Sequence, residues 1–184
     1  MDHRDHVDLL REGVFVDGQS PTGTWADLGS GEGAFTLALA ELLDPQAEIY
    51  SLDRNPLVLR RQQQAFTARY PQRKVHLIRG DFTAPMQLPR LDGLVIANAL
   101  HFVPDDEKLR ALLHIKSYLK PGGRFLLVEY DAGQGNQWVP YPFTYSQWET
   151  LTTQAGLSNT RKLAERPSRF LHAIYSAVSW NLPA

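Results

Sequence analysis

The chain has 184 residues, a formal net charge of −1 and no cysteine, which suits one domain with a proper hydrophobic core. The balanced charge gives no electrostatic reason to expect a nucleic-acid partner, and the lack of cysteine excludes disulfides, thiolate metal sites and cysteine nucleophiles. The polar residues 1–6 do not resemble a signal peptide, and no apolar run reaches the length of a membrane span. We therefore expect a cytoplasmic protein that acts away from the membrane.

Short apolar strands and amphipathic helices alternate through the first two thirds of the chain. The predicted strands span 24–28, 48–52, 75–79, 94–97 and 124–130. Helices are predicted to begin near Gly33, Pro56 and Asp105, because apolar residues recur there at helical spacing and Asn55 provides an N-cap before the proline. The buried side of the third helix is predicted to consist of Leu109, Leu112, Leu113 and Leu119, followed by a turn at Pro121-Gly122-Gly123.

The pattern changes after residue 130. Residues 131–145 form an irregular loop rich in glycine, proline and aromatic residues. A capping box at Ser146 predicts a helix that ends at Gly156. Strands at 159–166 and 170–179, joined by a turn too short for a crossover, are predicted to be antiparallel neighbours. The chain is therefore predicted to be one α/β domain spanning 1–184, doubly wound, with seven mainly parallel strands, the last antiparallel, and helices on both faces.

A glycine-rich turn follows the first strand. Asp27 and Leu28 end that strand, and Gly29, Gly31 and Gly33 alternate before the next helix. Glycines tolerate positive φ and leave no Cβ between the backbone and a ligand, and the start of a helix presents free N–H groups. The turn therefore predicts a small molecule held tightly against the backbone.

Chemically informative residues also follow the other strands, at the edge where such sheets bind ligands. Asp53, at the end of the second strand, is placed to accept hydrogen bonds from both hydroxyls of a ribose. After the third strand, Asp81 offers an acceptor for an exocyclic amine and Phe82 an apolar face for a purine ring. Together these residues predict a pocket for a ligand that contains adenosine.

Two cofactor classes compete for this pocket. The spacing Gly29-x-Gly31-x-x-Ala34 satisfies the dinucleotide pattern, which would make the protein a nicotinamide-dependent oxidoreductase. Asp27, however, would repel a pyrophosphate beside the turn, whereas it suits the ammonium group of S-adenosylmethionine. The sequence favours the second class.

The chain resembles the class I S-adenosylmethionine-dependent methyltransferases. Residues 27–33, Asp-Leu-Gly-Ser-Gly-Glu-Gly, fit the first motif D/E-x-G-x-G-x-G, and Leu119-Lys-Pro-Gly-Gly-Arg-Phe125 resembles the signature before the fifth strand. Residues 80–82 and 94–101 are similar to the adenine-contacting and fourth motifs, and the closing hairpin to the sixth and seventh strands. The resemblance implies S-adenosyl-L-methionine as cofactor, bound by Asp27, Gly29, Ser30, Gly31, Gly33, Asp53, Arg54, Asp81, Phe82 and Asn98.

The fourth motif, Asn98-Ala-Leu-His101, departs from the N/D-P-P-Y/F of similar enzymes that methylate amino groups of DNA, RNA or protein amides. It is similar to that of small-molecule methyltransferases, so we expect a small-molecule acceptor. Residues 1–23, with a short helix carrying Val7, Leu10 and Val14, are predicted to lie over the pocket and to enclose the substrate together with loop 131–145.

His101 is the candidate general base, because an imidazole exchanges protons near neutral pH; the alternative is a structural bond to a loop carbonyl. The predicted substrate contacts are Tyr130, Asp131, Trp138, Tyr141 and Arg169. The alternatives are that the aromatic residues pack the loop and that Arg169 is a surface residue. No metal is expected, because Asn98 and Asn136 stand beside Asp131 where metal-dependent relatives carry carboxylates.

A second function is also compatible with the sequence. The cofactor motifs predict binding and not turnover, so a cofactor-binding regulatory or partner domain remains open. The acceptor, the methylated element and a homodimer are open as well.

Overall fold

A computed structural model describes residues 1–15, 18–168 and 170–183. The helices are α1 (His3–Val14), α2 (Ala34–Leu42), α3 (Pro56–Arg69), α4 (Asp105–Lys116) and α5 (Tyr145–Gln154), with a 3-10 turn at Leu100–Phe102. The strands are β1 (Thr24–Leu28), β2 (Glu48–Asp53), β3 (Lys74–Arg79), β4 (Leu91–Ala97), β5 (Leu119–Tyr130), β6 (Ser158–Pro167) and β7 (Ala173–Asn181).

The strands form one sheet in the order β3-β2-β1-β4-β5-β7-β6. β1 to β5 are parallel to one another, and β7 runs antiparallel to both β5 and β6. This arrangement confirms the predicted fold class. Strand order reverses between β1 and β4, so the carboxyl ends of these two strands frame the crevice where doubly wound sheets bind ligands.

Both faces of the sheet are buried. Alternate residues of β4 and β5 point to opposite sides, so Val95 and Val128 join one core with α1 and α2, while Ile96 and Leu127 join another with α4 and α5. A strand that is buried on both faces requires a nearly continuous apolar sequence. This explains why the central strands are easy to recognise in the sequence.

Element boundaries differ from prediction in several places. β4 begins at Leu91, and β7 begins at Ala173 and not at residue 170. Residues 121–123 lie within β5, where the pairing with β4 shifts register between Leu91 and Gly93 and Gly122 has a φ of +79°. The predicted turn is therefore an irregularity inside a strand that begins at Leu119.

The buried side of α4 was predicted correctly only in part: Leu112 is buried and Leu109 packs against the core, but Leu113 and Leu119 do not belong to this face. Leu113 is 50% exposed, and Leu119 pairs with Leu91 in the sheet. Leu119 fits the helical spacing because it lies seven residues after Leu112, although α4 ends at Lys116. The face that is buried instead includes Lys108, which is 1% exposed.

The capping box of α5 is formed by Thr144 and not by Ser146. Thr144 Oγ1 accepts a hydrogen bond from the Gln147 N–H, and Gln147 Oε1 accepts one from the Thr144 N–H. Residues 144–147 and 146–149 both satisfy the capping-box spacing. Spacing alone therefore cannot distinguish them.

α1 packs against α2 and β6, with Val7, Leu10 and Val14 buried as predicted. Arg124 in the middle of β5 donates to the carbonyl of Gly13. No described residue of α1 lines the main cavity of the sheet edge. A covering role for residues 1–23 stays a prediction.

None of the helices described here is both long and apolar enough to cross a bilayer.

Candidate cofactor and acceptor site

A cavity of about 450 Å³ lies at the carboxyl edge of the sheet, beside the crevice between β1 and β4. Residues after four different strands form its wall, together with the start of α4. Seven of the ten predicted cofactor residues line it: Gly29, Gly31, Asp53, Arg54, Asp81, Phe82 and Asn98. The topology thus gathers residues that are up to 69 positions apart in the sequence.

The three glycines of the turn have φ values of +76°, +54° and +86°, in the region that side chains disfavour. A Cβ at Gly29 would lie 2.6 Å from Ala99 Cβ, and one at Gly33 would lie 2.5 Å from Gln62 Cγ. Nothing lies within 4 Å of a Cβ built at Gly31. Gly29 and Gly33 are therefore required for packing, whereas Gly31 leaves open space on the cavity wall.

Protein acceptors already occupy four of the N–H groups of the turn. The N–H groups of Gly29 and Ser30 donate to the Leu52 carbonyl, at 2.8 and 3.0 Å. The Gly31 N–H donates to Asp53 Oδ2 at 2.8 Å, and the Gly33 N–H donates to the Ser30 carbonyl at 2.9 Å. A loop that binds phosphate needs such groups to point at the ligand, so this turn is poorly suited to a pyrophosphate.

The charges on the wall lead to the same conclusion. Asp53, Asp81 and Glu107 line the cavity, against the single cation Arg54 among the described lining residues. Asp53 Oδ1 also accepts from the Asn55 N–H, and Asp81 Oδ1 accepts from the Thr83 N–H and hydroxyl. An acidic wall favours a ligand that is neutral or carries a positive charge.

Asp27 lies beneath the turn and is only 1% exposed. Its Oδ2 accepts a hydrogen bond from Thr36 Oγ1 at 2.6 Å, which joins the residues on either side of the turn. Burial, with a contribution from the Asp53 charge, raises the pKa of Asp27 to about 7, and the Thr36 bond opposes this shift. Ser30 and Gly33 also lie outside the cavity wall, against Gln62.

Asn98 directly follows β4 and has a φ of +52°. Its backbone N–H donates to the Val128 carbonyl, whereas its side-chain Oδ1 is buried and has no hydrogen-bond partner among the described residues. A buried acceptor without a partner costs about 1–3 kcal/mol. Because Asn98 lines the cavity, a ligand donor is the natural partner for this oxygen.

His101 is buried next to the cavity wall and is held by Glu129. Its Nδ1 lies 2.8 Å from Glu129 Oε2, and its backbone N–H donates to Oε1 of the same carboxylate. The side chains are 3% and 0% exposed. The carboxylate fixes the imidazole orientation and leaves Nε2 as the nitrogen for a reacting group.

Glu129 was not predicted as a functional residue. It was recognisable as an acid on the same face of β5 as Phe125 and Leu127, in the otherwise hydrophobic segment 125–130. Tyr175 lies directly opposite it on β7. Burial, together with the Glu129 charge, raises the pKa of the Tyr175 hydroxyl.

A series of aromatic rings begins at the cavity and passes His101. Phe102 lines the cavity and lies 4.3 Å from the imidazole between ring centroids. Tyr130 lies 5.5 Å from the imidazole on another side, and Phe170 lies 6.4 Å from Tyr130. Phe102 and Phe170 are 53% and 58% exposed. Neither was predicted, since an isolated phenylalanine gives no functional signal.

The other predicted substrate residues mainly shape loop 131–145. Asp131 accepts from the Tyr145 N–H and pairs with Lys162, and Asn136 Oδ1 accepts from the backbone of residues 138 and 139. Among the described residues no group of three or more His, Cys, Asp and Glu side chains forms a metal cluster.

Trp138 is 64% exposed and Tyr141 is 41% exposed, outside the cavity lining. Arg169 lies outside the described residues.

Lys108 anchors this loop to α4. Its buried ammonium pairs with Asp105 and lies 5.7 Å from the Tyr141 ring centroid and 5.2 Å from that of Phe143. The Tyr141 N–H also donates to the His101 carbonyl at 3.0 Å. The loop is thus attached both to the helix that ends the cavity wall and to the candidate base.

Residues 26–123 match a family described as a methyltransferase domain, a range that covers more than half of the 184 residues. The chain belongs to this methyltransferase domain family. The matched range includes the glycine turn, the acids after β2 and β3, and His101.

Relatives of the methyltransferase domain span several named activities. The chain is 30% identical to the carboxy-S-adenosyl-L-methionine synthase of Chromohalobacter salexigens over 118 residues, which is 61% of this chain and 43% of that protein. It is 28% identical to the acetylserotonin O-methyltransferase of Mus musculus over 181 residues, which is 86% of this chain and 44% of that protein. The chain thus spans less than half the length of these two relatives.

A solved structure supports the fold. The chain is similar to the 1,6-didemethyltoxoflavin-N1-methyltransferase of Burkholderia thailandensis, with a TM-score of 0.73 and 20% identity. That structure contains bound 1,6-didemethyltoxoflavin and S-adenosylhomocysteine. The match covers 98% of this chain and 78% of that chain. The likeness confirms the seven-stranded architecture of the methyltransferase domain.

The cofactor of this family, S-adenosylmethionine, fits the residues of the cavity. Open space at Gly31 allows a close backbone approach, and the unpartnered Asn98 Oδ1 requires a donor. The acidic wall and the occupied N–H groups suit a ligand that carries an ammonium group and no phosphate.

Proposed function

We propose that this methyltransferase domain catalyses methyl transfer from S-adenosylmethionine to a hydroxyl group of a small aromatic acceptor. The observation that carries the proposal is the buried His101–Glu129 pair. His101 directly precedes Phe102 in the sequence, and Phe102 lines the wall of the cofactor cavity. A buried imidazole that is oriented by a carboxylate is the arrangement required of a general base.

Residues at the ends of three strands would bind the cofactor. Asp53 would accept from the ribose hydroxyls, Asp81 and Phe82 would contact the adenine, and Asp27 beneath the turn would attract the ammonium group. S-adenosylmethionine supplies an electrophilic methyl group on a sulfonium centre. The task of the protein is then to position the nucleophile and to remove its proton.

His101 would take that proton. With Nδ1 bonded to Glu129, Nε2 accepts the proton from the acceptor hydroxyl, and the carboxylate offsets the positive charge that the imidazole acquires. The pair is 3% and 0% exposed, so little water competes for the proton.

The rings around the base support an aromatic acceptor. Phe102 and Tyr130 flank the imidazole, and the exposed Phe170 packs against Tyr130; such apolar rings suit offset or edge contacts with a planar ring. A phenolic hydroxyl titrates near pH 10, at about the value of tyrosine. An imidazole deprotonates such a group far more readily than it does an aliphatic alcohol.

The test is a turnover assay with isotope-labelled S-adenosylmethionine against matched sets of hydroxyarenes, aryl amines and aliphatic alcohols. We expect S-adenosylhomocysteine release with hydroxyarenes and methylation at oxygen by mass spectrometry. Turnover of amines or aliphatic alcohols alone would contradict the aromatic hydroxyl. Tight cofactor binding without turnover of any set would favour a regulatory or partner domain instead.

A further inference from the structure

Gln62 on α3 belongs to none of the cofactor motifs, yet it is fully buried beneath the glycine turn. Its side chain contacts groups from three other segments: Thr36 on α2, Ser51 on β2 and Ser30 in the turn. Gly33 packs so closely on it that a Cβ there would lie 2.5 Å from Gln62 Cγ. This buried amide therefore links α2 and β2 to the glycine turn.

The hydrogen bonds donated by Gln62 lead through Thr36 to Asp27. Gln62 Nε2 donates to Thr36 Oγ1 at 2.6 Å and to Ser51 Oγ at 2.7 Å. Thr36 Oγ1 accepts from Gln62 through a lone pair and donates its single hydrogen to Asp27 Oδ2 at 2.6 Å. An amide side chain has two donor hydrogens, and both are used here.

We propose that Gln62 is a positioning residue that, through Thr36, orients and stabilises the Asp27 carboxylate for the ammonium group of the cofactor. The inference rests on the proposed function, because it assumes a cofactor with an amino-acid end. It adds a residue outside the glycine motif that decides how strongly this end is held.

The surroundings of Asp27 explain why such support is needed. Burial disfavours the charged carboxylate, and the nearby Asp53 is a further negative charge. Thr36 on α2, which bonds Asp27 directly, is neutral, and so are Gln62 on α3 and Ser51 on β2, which contact Thr36. Donated hydrogen bonds are therefore what favours the ionised form, and an ionised carboxylate is what attracts an ammonium group.

The test compares two ligands that differ at one end. S-adenosylhomocysteine carries the amino-acid end, and 5′-methylthioadenosine has the same adenosine without it. Their dissociation constants are measured by calorimetry at pH 7.5 for the wild type, Gln62→Met and Thr36→Val. Gln64→Met is the matched control, because Gln64 lies on the same helix and is exposed. Thermal melting checks that each variant is folded.

We expect Thr36→Val to weaken S-adenosylhomocysteine binding about tenfold, the effect of one lost hydrogen bond to a charged group, and Gln62→Met to weaken it in the same direction through Thr36. Binding of 5′-methylthioadenosine should change less than about twofold, and Gln64→Met should alter neither ligand. Equal weakening of both ligands by the two variants, or no weakening, would overturn the role of Gln62. A wild-type protein that binds neither ligand would instead overturn the proposed function itself.

Discussion

The proposed site has two halves, one for the cofactor and one for the acceptor, and they consist of different kinds of side chain. The cofactor half is a network of hydrogen bonds in which the glycine turn, Asp53 and Asp27 are each held by at least one partner. The proposed acceptor half consists of the His101–Glu129 pair and aromatic rings, two of which are more than half exposed. Hydrogen bonds within the protein therefore fix the positions of the cofactor residues before a ligand binds. The acceptor half offers an apolar surface, so the choice of acceptor depends on how well its shape fits that surface.

This difference predicts that substitutions in the two halves separate binding of the cofactor from turnover. His101→Ala should lower kcat by about 10²–10⁴-fold, the usual contribution of a positioned general base. The dissociation constant of S-adenosylhomocysteine should stay within about twofold, because His101 lies outside the cofactor wall. Steady-state kinetics and calorimetry on the same preparation check both values. An unchanged kcat would remove His101 from the mechanism.

Asp53→Ala should have its main effect on the other half. It removes the acceptor for the Gly31 and Asn55 N–H groups and the proposed ribose contact. The affinity for S-adenosylhomocysteine should fall about 10- to 100-fold. Asp106→Ala, in the exposed first turn of α4, serves as the control and should change nothing. Equal affinities for the two variants would show that Asp53 does not contact the ligand.

The raised pKa of Asp27, about 7, predicts how binding of the cofactor depends on pH. An ammonium group binds the ionised carboxylate, and protons compete for it below this value. The dissociation constant of S-adenosylhomocysteine should therefore rise as the pH falls from 7 to 5, by up to about tenfold per unit. Binding of 5′-methylthioadenosine, which has no ammonium group, should stay flat. A flat profile for both ligands would place the ammonium group away from Asp27.

The smallest effect is expected in loop 131–145. Lys108→Met removes the cation that lies against Tyr141 and Phe143. A cation–π contact is worth about 0.5–2 kcal/mol, so the KM of the acceptor should rise several-fold while the affinity for S-adenosylhomocysteine is unchanged. Lys74→Met, on an exposed edge strand, is the control. If the affinity for the cofactor falls and the acceptor KM does not, Lys108 supports the cofactor half instead.

The same contrast explains what could be predicted from the sequence. The glycine turn and the acids after β2 and β3 follow local rules, since each lies directly after an apolar strand and has a fixed spacing. Gln62 and Glu129 could not be assigned a role, because their partners are 11 to 32 positions away in the sequence and meet them only in the folded sheet.

Boundaries were missed for a related reason. Residues 144–147 and 146–149 carry the same capping signal; the structure uses Thr144, which is followed by Tyr145, whose N–H donates to Asp131 of loop 131–145. Leu119 fits the helical stripe of α4 and also begins β5, where its pairing with Leu91 decides its position. Tertiary contacts overrode local spacing in both cases.

A calorimetric titration of the wild-type protein with S-adenosylhomocysteine and, separately, with NAD⁺ tests the central claim most directly. The acidic wall and the occupied N–H groups of the turn predict saturable binding of S-adenosylhomocysteine at one site per chain and no detectable binding of NAD⁺. Saturable binding of NAD⁺ without binding of S-adenosylhomocysteine would contradict the account.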